Sequence, residues 1–403
     1  MIYVIGDAIL DEFWYGTTTR LSPEAPVPII ENIQKTRTGG GAVNVVANLR
    51  SLGSTPKLFS ACGLDSAGYS LRTMEPNADW RNTEETIHKT RIYTNGQCIG
   101  RIDIDPPQPI VGWPNTFSDD YIILSDYNKG TIGNATLDIQ KSPAKVLVDP
   151  KKPLHNYTGA WVVKPNWKEY HQFVGDGSNL VSEARAALKA NSISIMLVTA
   201  GPAGIFVITM NDFFHVPAKP VDVVDITGAG DTVIASFTHH YSIHHDLKAA
   251  TEFAVLMASQ VISQHGASVA KLPKEKIVFT NGCFDILHPG HIRLLQYAKS
   301  LGTKLIVGLN SDKSIKALKG ENRPIVNQET RKATLEALGI VDEVNVFYED
   351  TPYNLINLIK PDIIVKGGDY IADDVVGADI AQVVIYPTQP GFSTTSIIEG
   401  LNK

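Results

Sequence analysis

Asp225-Ile-Thr-Gly-Ala-Gly-Asp231-Thr232 decides how the longer part of this chain is read. It runs into Val233-Ile-Ala-Ser-Phe237, an apolar stretch that reads as the beginning of a helix. Glycines let backbone N–H groups converge on an anion, and a helix N-terminus adds partial positive charge. Gly228, Ala229 and Gly230 therefore form a candidate anion hole. Asp231, at its edge, is placed to take the proton of an attacking hydroxyl, and positioning with electrostatics is most of what phosphoryl transfer requires. Taken alone, the same residues also describe a glycine-led helix start with an acidic first turn.

Around this stretch, β-branched runs alternate with helical ones: Lys145–Asp149, Ala160–Lys164, Ser194–Thr199, Lys276–Thr280, Lys304–Leu309 and Asp362–Lys366. That alternation predicts parallel sheets covered by helices, with ligands at the carboxyl ends of the strands. A helix is predicted over Leu247–Gln264 and a new strand from Lys276, so the boundary falls near Pro273, between a domain at 1–272 and one at 273–403. Two domains also suit 403 residues, more than one core usually organises. No apolar run reaches the roughly eighteen residues of a membrane span. The opening Met1-Ile-Tyr-Val-Ile-Gly-Asp7 reads as a buried strand entering a turn and not as a signal peptide, which places the protein in the cytoplasm. Three scattered cysteines, Cys62, Cys98 and Cys283, predict neither a disulfide framework nor a zinc site. A net charge of -6 argues against a nucleic-acid partner.

Four segments of the first domain, in order, resemble the ribokinase-like (PfkB) carbohydrate kinases: Gly6-Asp-Ala-Ile-Leu-Asp11, Gly39-Gly-Gly-Ala-Val-Asn44, Asn166-Trp-Lys-Glu169 and Gly228–Asp231. The resemblance implies an α/β domain with a β-strand lid, sugar binding by Asp11, Gly40, Gly41 and Asn44, and Asp231 as base. It implies that Asn166 and Glu169 organise Mg2+ indirectly, through water, around the ATP phosphates. Trp14–Gly16, Arg20–Pro28, Ser125–Gly130 and Val148–Lys151 are similar to heptose 7-phosphate kinases, whose substrate already carries a phosphate. A remote cation is then needed, and Lys89, Arg91, Arg101 and Lys129 are the candidates by type and placement. The stretches 68–89, 105–121 and 130–146 look shorter than in that family, so helices there are expected to be trimmed or absent.

Thr280-Asn-Gly-Cys-Phe-Asp-Ile-Leu-His288-Pro-Gly-His291 follows a strand and opens a helix. Two histidines three residues apart share one side of a turn, and a metal reading lacks a third ligand at suitable spacing. The second domain resembles the nucleotidyltransferases with a His-x-Gly-His signature, which implies a Rossmann-like fold. His288 and His291 then stabilise charge on the α-phosphate, and nucleotide and phosphate binding falls to Thr280, Asn281, Gly282, Phe284, Lys319, Arg323, Lys366, Gly367, Ser393, Thr394 and Thr395. Arg331 is read as opening a helix-like segment that ends at Val341-Asp-Glu343. Lys319-Gly-Glu, Glu349-Asp-Thr-Pro352 and Val365-Lys-Gly-Gly-Asp369 are similar to the adenylyltransferase half of the bifunctional heptose enzymes.

The combined resemblance implies a bifunctional enzyme that uses ATP as co-substrate twice. It first phosphorylates D-glycero-β-D-manno-heptose 7-phosphate at O1, and later converts heptose 1-phosphate to ADP-heptose and pyrophosphate. A separate bisphosphate phosphatase must act in between, and the lid strands, over Val27–Thr38 and Arg91–Ile104, imply a homodimer. Two alternatives stay open: the same chemistries on another sugar phosphate or with CTP, and a catalytically dead kinase-like module that serves dimerisation.

Overall fold

Tyr121-Ile-Ile-Leu-Ser125 is buried at every position, and Ile2-Tyr-Val-Ile-Gly6 at all but one. Uninterrupted burial of this kind belongs to strands covered on both faces, as in parallel sheets between helix layers. The computed structural model describes residues 1–264, 268–272, 275–368 and 370–387. Its contacts divide between two units, Met1–Leu272 and Pro273–Lys403.

The first unit contains β1 (Ile2–Gly6), β2 (Ala8–Thr17), β3 (Glu31–Gly41), β4 (Lys57–Gly63), β5 (Asp79–Thr83), β6 (His88–Thr94), β7 (Gln97–Ile104), β8 (Tyr121–Ser125), β9 (Lys145–Asp149), β10 (Val162–Val163), β11 (Ile195–Thr199), β12 (Ile205–Thr209) and β13 (Phe213–Val216). Nine of these form one sheet, ordered β13-β12-β11-β10-β9-β8-β1-β4-β5. It is parallel except where β12 and β13 turn back at one edge. The helices are α1 (Ala42–Ser51), α2 (Ser66–Met74), α3 (Thr136–Lys141), α4 (Trp167–Phe173), α5 (Leu180–Ala190), α6 (Ala229–His244) and α7 (Leu247–Ile262).

Successive strand residues point to opposite faces, so the sheet has two cores. Val4, Ile123 and Leu147 pack with Leu49 of α1 and Phe237 of α6. Ile5, Ile122 and Val148 pack with Tyr170 of α4 and Leu188 of α5. Each fully buried aliphatic side chain contributes about 1.5–3 kcal/mol, so the sheet holds the loops at its strand ends firmly. Strands β3, β2, β6 and β7 make a separate four-stranded sheet in that order, the lid that the family resemblance implies.

The shortened stretches differ from one another. The helix in 68–89 survives as the nine-residue α2, while α3 keeps only six residues. Between β7 and β8 there is no regular element; an extended strap bonds instead to the loop beyond β8, Gln108 N to Lys129 O at 2.7 Å and Val111 N to Thr131 O at 3.2 Å. Val111 and Trp113 of this strap pack onto the sheet core where a helix would lie.

The second unit has β14 (Ile277–Gly282), β15 (Lys304–Asn310), β16 (Glu343–Phe347), β17 (Ile363–Gly367) and β18 (Gln382–Tyr386), with α8 (Pro289–Ser300), α9 (Asp312–Lys319), α10 (Gln328–Glu336) and α11 (Tyr353–Ile359). The sheet is parallel in the order β16-β15-β14-β17-β18. Its strand order reverses between β14 and β17, and ligands of such doubly wound sheets bind at that switch point.

Small corrections concern element ends. The helix expected to reach Gln264 ends at Ile262, and the strand expected at Lys276 begins at Ile277. Arg331 lies inside α10 and does not open it; that helix stops at Glu336, and Val341–Glu343 leads instead into β16. Among the described residues no helix is long and apolar enough to cross a membrane.

Two candidate active sites

The first site lies at the carboxyl ends of β1, β8 and β9. Gly228 caps α6 in the left-handed region, at φ 80°. A Cβ there would come within 2.6 Å of Asn44 Nδ2, so both the turn and the close approach need glycine. Ala229 N is engaged by Ile226 O at 3.2 Å. The amides of Gly230 and Asp231, in the first helical turn, have no intrahelical partner, the arrangement that binds anions at helix N-termini.

Asp231 is buried in this first turn. Its Oδ2 accepts from Asn44 Nδ2 at 2.9 Å, and its Oδ1 accepts from the Tyr127 hydroxyl at 2.9 Å. Burial pushes its carboxyl up to about 7, and the charge of Asp149 adds to the rise, against the lowering effect of the two hydrogen bonds. Asp149 ends β9 and is itself raised by burial; Lys164 Nζ, only 2% exposed, pairs with it at 3.0 Å. Gly230 lies beside this pair: a Cβ on it would sit 3.4 Å from Lys164 Nζ. A buried cation therefore underlies the amide cradle.

Asp7 shapes the neighbouring loop. Its carboxylate accepts from the backbone N–H of Tyr127 at 2.9 Å, Lys129 at 3.1 Å and Thr131 at 3.1 Å. Asp11, in β2, lies against Gly40, where a Cβ would come within 2.1 Å of its Oδ2, and Gly41 caps α1, which carries Asn44. Asn44 thus meets Asp231 directly and Gly228 lies against Asn44, while Asp11 and Gly40 form a second contact.

Asn166 and Glu169 form a capping box on α4: Asn166 Oδ1 accepts from Glu169 N at 2.9 Å, and Glu169 Oε2 accepts from Asn166 N at 2.9 Å. Lys151 donates to the remaining Glu169 oxygen. As arranged, the pair does not fit a direct magnesium site, and the described residues contain no group of three or more acidic, histidine or cysteine ligands that could hold a metal. Three of the four phosphate-anchor candidates are committed to carboxylates: Arg91 to Asp11 at 2.5 Å, Arg101 to Asp103 at 2.5 Å and Lys129 to Asp105 at 2.8 Å. Lys89 sits over the Tyr127 ring, 5.9 Å from its centroid.

The second site lies at the β14/β17 switch point. His288 is the N-cap of α8, its Nδ1 accepting from His291 N at 3.4 Å. The His291 ring also meets Phe284, at 5.1 Å between centroids. Burial, with the charges of His288 and Lys319 adding to it, pushes His291 down to about 4; burial lowers His288 as well. Both imidazoles are therefore neutral near pH 7. Among the described residues, His291 Nδ1, Thr280 Oγ1 and Arg323 Nη2 are buried without a hydrogen-bond partner, which leaves polar groups for a ligand to satisfy.

Asn281 Oδ1 accepts from Lys366 Nζ at 3.0 Å, joining β14 to the end of β17 beside Gly282 and Gly367. Arg323 is partly committed, its Nε donating to buried Asp285 at 2.6 Å. Lys319 ends α9, close enough for its charge to act on His291. Ser393, Thr394 and Thr395 lie outside the described residues.

Several residues here escaped the sequence reading. Tyr127, Asp149 and Lys164 surround Asp231; each stands at or just beyond the carboxyl end of a buried strand, and Tyr127 and Asp149 lie in segments shared with the heptose 7-phosphate kinases, but neither signal gave them a role. Arg331, 2% exposed, donates to Val326 O at 2.9 Å, Cys283 O at 2.6 Å, Asn310 O at 2.9 Å and Asp312 Oδ1 at 2.7 Å, binding the site loops together. No local pattern marks such a role.

Comparison with known proteins follows the same division. Residues 116–275 match the pfkB family carbohydrate kinases, and residues 279–399 match the cytidylyltransferase-like family. The first unit shares its fold with phosphofructokinase-2 from Escherichia coli (TM-score 0.55, 16% identity, 67% of this chain and 95% of that one). The same holds for ribokinase from Thermotoga maritima (TM-score 0.53, 17% identity, 66% of this chain and 94% of that one). The bifunctional protein HldE of Helicobacter acinonychis (strain Sheeba) is 39% identical over 457 residues, covering 100% of this chain and 98% of its own. That of Pseudomonas putida (strain GB-1) is 36% identical over 462 residues, covering 100% and 97%. Both matches span more positions than the 403 residues of this chain, as internal shortening requires. With both halves present in order and full-length identity at this level, the chain belongs to the bifunctional HldE family, a carbohydrate kinase joined to a nucleotidyltransferase.

Proposed function

We propose that the first unit, residues 1–272, transfers the γ-phosphoryl group of ATP to O1 of D-glycero-β-D-manno-heptose 7-phosphate, and that the second, 273–403, joins heptose 1-phosphate to ATP, giving ADP-heptose and pyrophosphate. One observation carries the kinase half: Asp231, a buried carboxylate in the first turn of α6, bonded by Asn44 and Tyr127 and held near neutrality. Asp231 takes the O1 proton as O1 attacks the γ-phosphorus, and ADP leaves. The amides of Gly230 and Asp231, with Lys164 beneath them, hold the transferring group. Asp11 and Asn44, with Gly40 and Gly41, contact the sugar. Lys89, which has no ion pair among the described residues, takes the remote phosphate.

In the second unit the sugar phosphate oxygen attacks the α-phosphorus of ATP. His288 and His291, neutral and so each carrying one N–H donor, steady the α-phosphate as charge builds on it. Thr280, Lys319, Arg323 and Lys366 bind phosphate oxygens. Asn281, Gly282, Phe284 and Gly367, with Ser393, Thr394 and Thr395, complete the nucleotide site. Asn166 and Glu169 would hold, through water, the Mg2+ that would neutralise charge on the ATP phosphates.

The bisphosphate product of the first reaction must lose its 7-phosphate before the second, so a separate phosphatase acts between them in the cytoplasm. The exposed Ile99 and Ile102 on the lid sheet support a homodimer formed through that sheet. The test is to offer the purified protein heptose 7-phosphate with ATP, then heptose 1-phosphate with ATP or CTP, and to weigh the products. A bisphosphate and ADP-heptose are expected; a CDP-sugar, or no bisphosphate, overturns the corresponding half.

A further inference from the structure

Tyr127 bonds directly to Asp231, and neither its sequence context nor the family likeness assigns it a role. Its loop is built to hold it: three successive bonds to Asp7 fix the backbone, and the strap bonds at Lys129 and Thr131 fix the far side. The hydroxyl donates to Oδ1 of Asp231 while Asn44 donates to Oδ2. Both carboxylate oxygens are therefore aimed from opposite elements, the loop after β8 and α1.

We propose that Tyr127 is a positioning residue of the kinase half, whose phenolic hydroxyl holds Asp231 in its ionised, proton-accepting form and in the orientation that faces the sugar hydroxyl. The inference rests on the reading of Asp231 as the base. Burial and the nearby charges of Asp231 and Asp149 hold the Tyr127 phenol well above its ordinary range, so it stays a donor at every working pH. A hydrogen bond to the charged form of a carboxyl favours that form.

The other groups around Asp231 pull both ways. Asp149 from β9 opposes its ionisation; Lys164, from the loop after β10, favours it. Lys151 faces Asp231 from the loop after β9, with Glu169 of α4 behind it. Asp11 of β2 and Lys89 of β6 face the Tyr127 side. Asn44 alone would leave one oxygen without a donor, and the balance would tip toward the protonated acid.

The test is the pH profile of kcat/KM for the sugar in Tyr127→Phe and in a protein carrying 3,5-difluorotyrosine at position 127, which keeps the shape and strengthens the donor. The acid limb is expected to move up by about one pH unit or more in Tyr127→Phe, since hydrogen bonds to charged groups are the stronger kind, and down in the fluorinated protein. Far-UV circular dichroism and the denaturant midpoint of the first unit, read by the fluorescence of its tryptophans and unchanged from wild type, report that the kinase half is folded; adenylyl transfer reports the second unit. A limb that stays in place in the fluorinated protein, or a Tyr127→Phe profile lowered evenly at all pH values, overturns the proposal while leaving the base reading intact. If Asp231→Asn keeps bisphosphate formation within threefold of wild type, both fall.

Discussion

The imidazoles of His288 and His291 lie face to face, their centroids 3.7 Å apart and their planes 18° from parallel. Two imidazolium rings would repel at that distance, so the stack holds only while at least one ring is neutral. Removing either ring should therefore cost turnover more than ATP affinity. For His291→Asn the expected loss in kcat of adenylyl transfer is about 10²–10³-fold, with the KM for ATP within a fewfold, as for loss of a transition-state donor. Steady-state kinetics decides it, and a change confined to KM would count against the role.

The same ring predicts a pH dependence of stability. In the folded protein His291 sits near 4, against about 6.5 when exposed. Between those values the unfolded chain binds the proton and the folded one does not, so stability is lost as pH falls from about 6.5 toward 4 and is full above that window. Denaturant midpoints followed by far-UV circular dichroism should show this slope in the wild type and a shallower one in His291→Asn.

Asp231→Asn should lower bisphosphate formation by roughly two to four orders of magnitude, the usual span for a positioned base. Adenylyl transfer should continue unaltered. Product analysis of both reactions on one preparation separates the outcomes.

Lys89→Met and Arg101→Ala should behave differently. Arg101 is 56% exposed and already paired with Asp103, and exposed pairs contribute little. Its loss should leave the sugar KM within about threefold, whereas Lys89→Met should raise it at least tenfold for a phosphorylated sugar. Equal effects would dissolve the distinction.

Arg331→Met should destabilise the second unit by about 1–3 kcal/mol, the span for leaving buried acceptors without their donor, with little added by the partly exposed Asp312. Three carbonyls and the Asp312 carboxylate lose their donor at once. Unfolding in denaturant, read through adenylyl transfer, measures it; a midpoint unchanged from wild type would show that the loops hold without the guanidinium.

Fragments 1–272 and 273–403 should each keep their own reaction when expressed apart, since each sheet and each site draws its residues from one side of Pro273. An inactive transferase fragment rescued by the kinase fragment would show dependence between them.

What could be read without coordinates was whatever is local. The Gly228–Asp231 turn and the His288–His291 turn each compress a helix start and its chemistry into a few residues, so both could be placed by pattern alone. Tyr127 and Asp231 are separated by 104 positions, and Asn44 and Asp231 by 187; only the strand order brings them together. The Asn166–Glu169 spacing shows the opposite difficulty. A capping box and a water-mediated metal motif ask for the same two residues three apart, and folding takes up the first meaning whatever use the second has. Arg91 and Lys129 were ambiguous because a charge in sequence does not reveal its counter-charge: Asp11 and Asp105 claim them from other segments.

The strap between β7 and β8 shows what a sheet demands of the chain that covers it. Val111 and Trp113 keep apolar surface from water without a helical turn beneath them, and the Gln108 and Val111 amides tie the strap down. Economy of length in such an enzyme is therefore limited by shielding and not by the number of elements. The same strip of chain that roofs the core also steadies the loop bearing Tyr127. Trimming it further would be felt first in proton transfer and only later in folding.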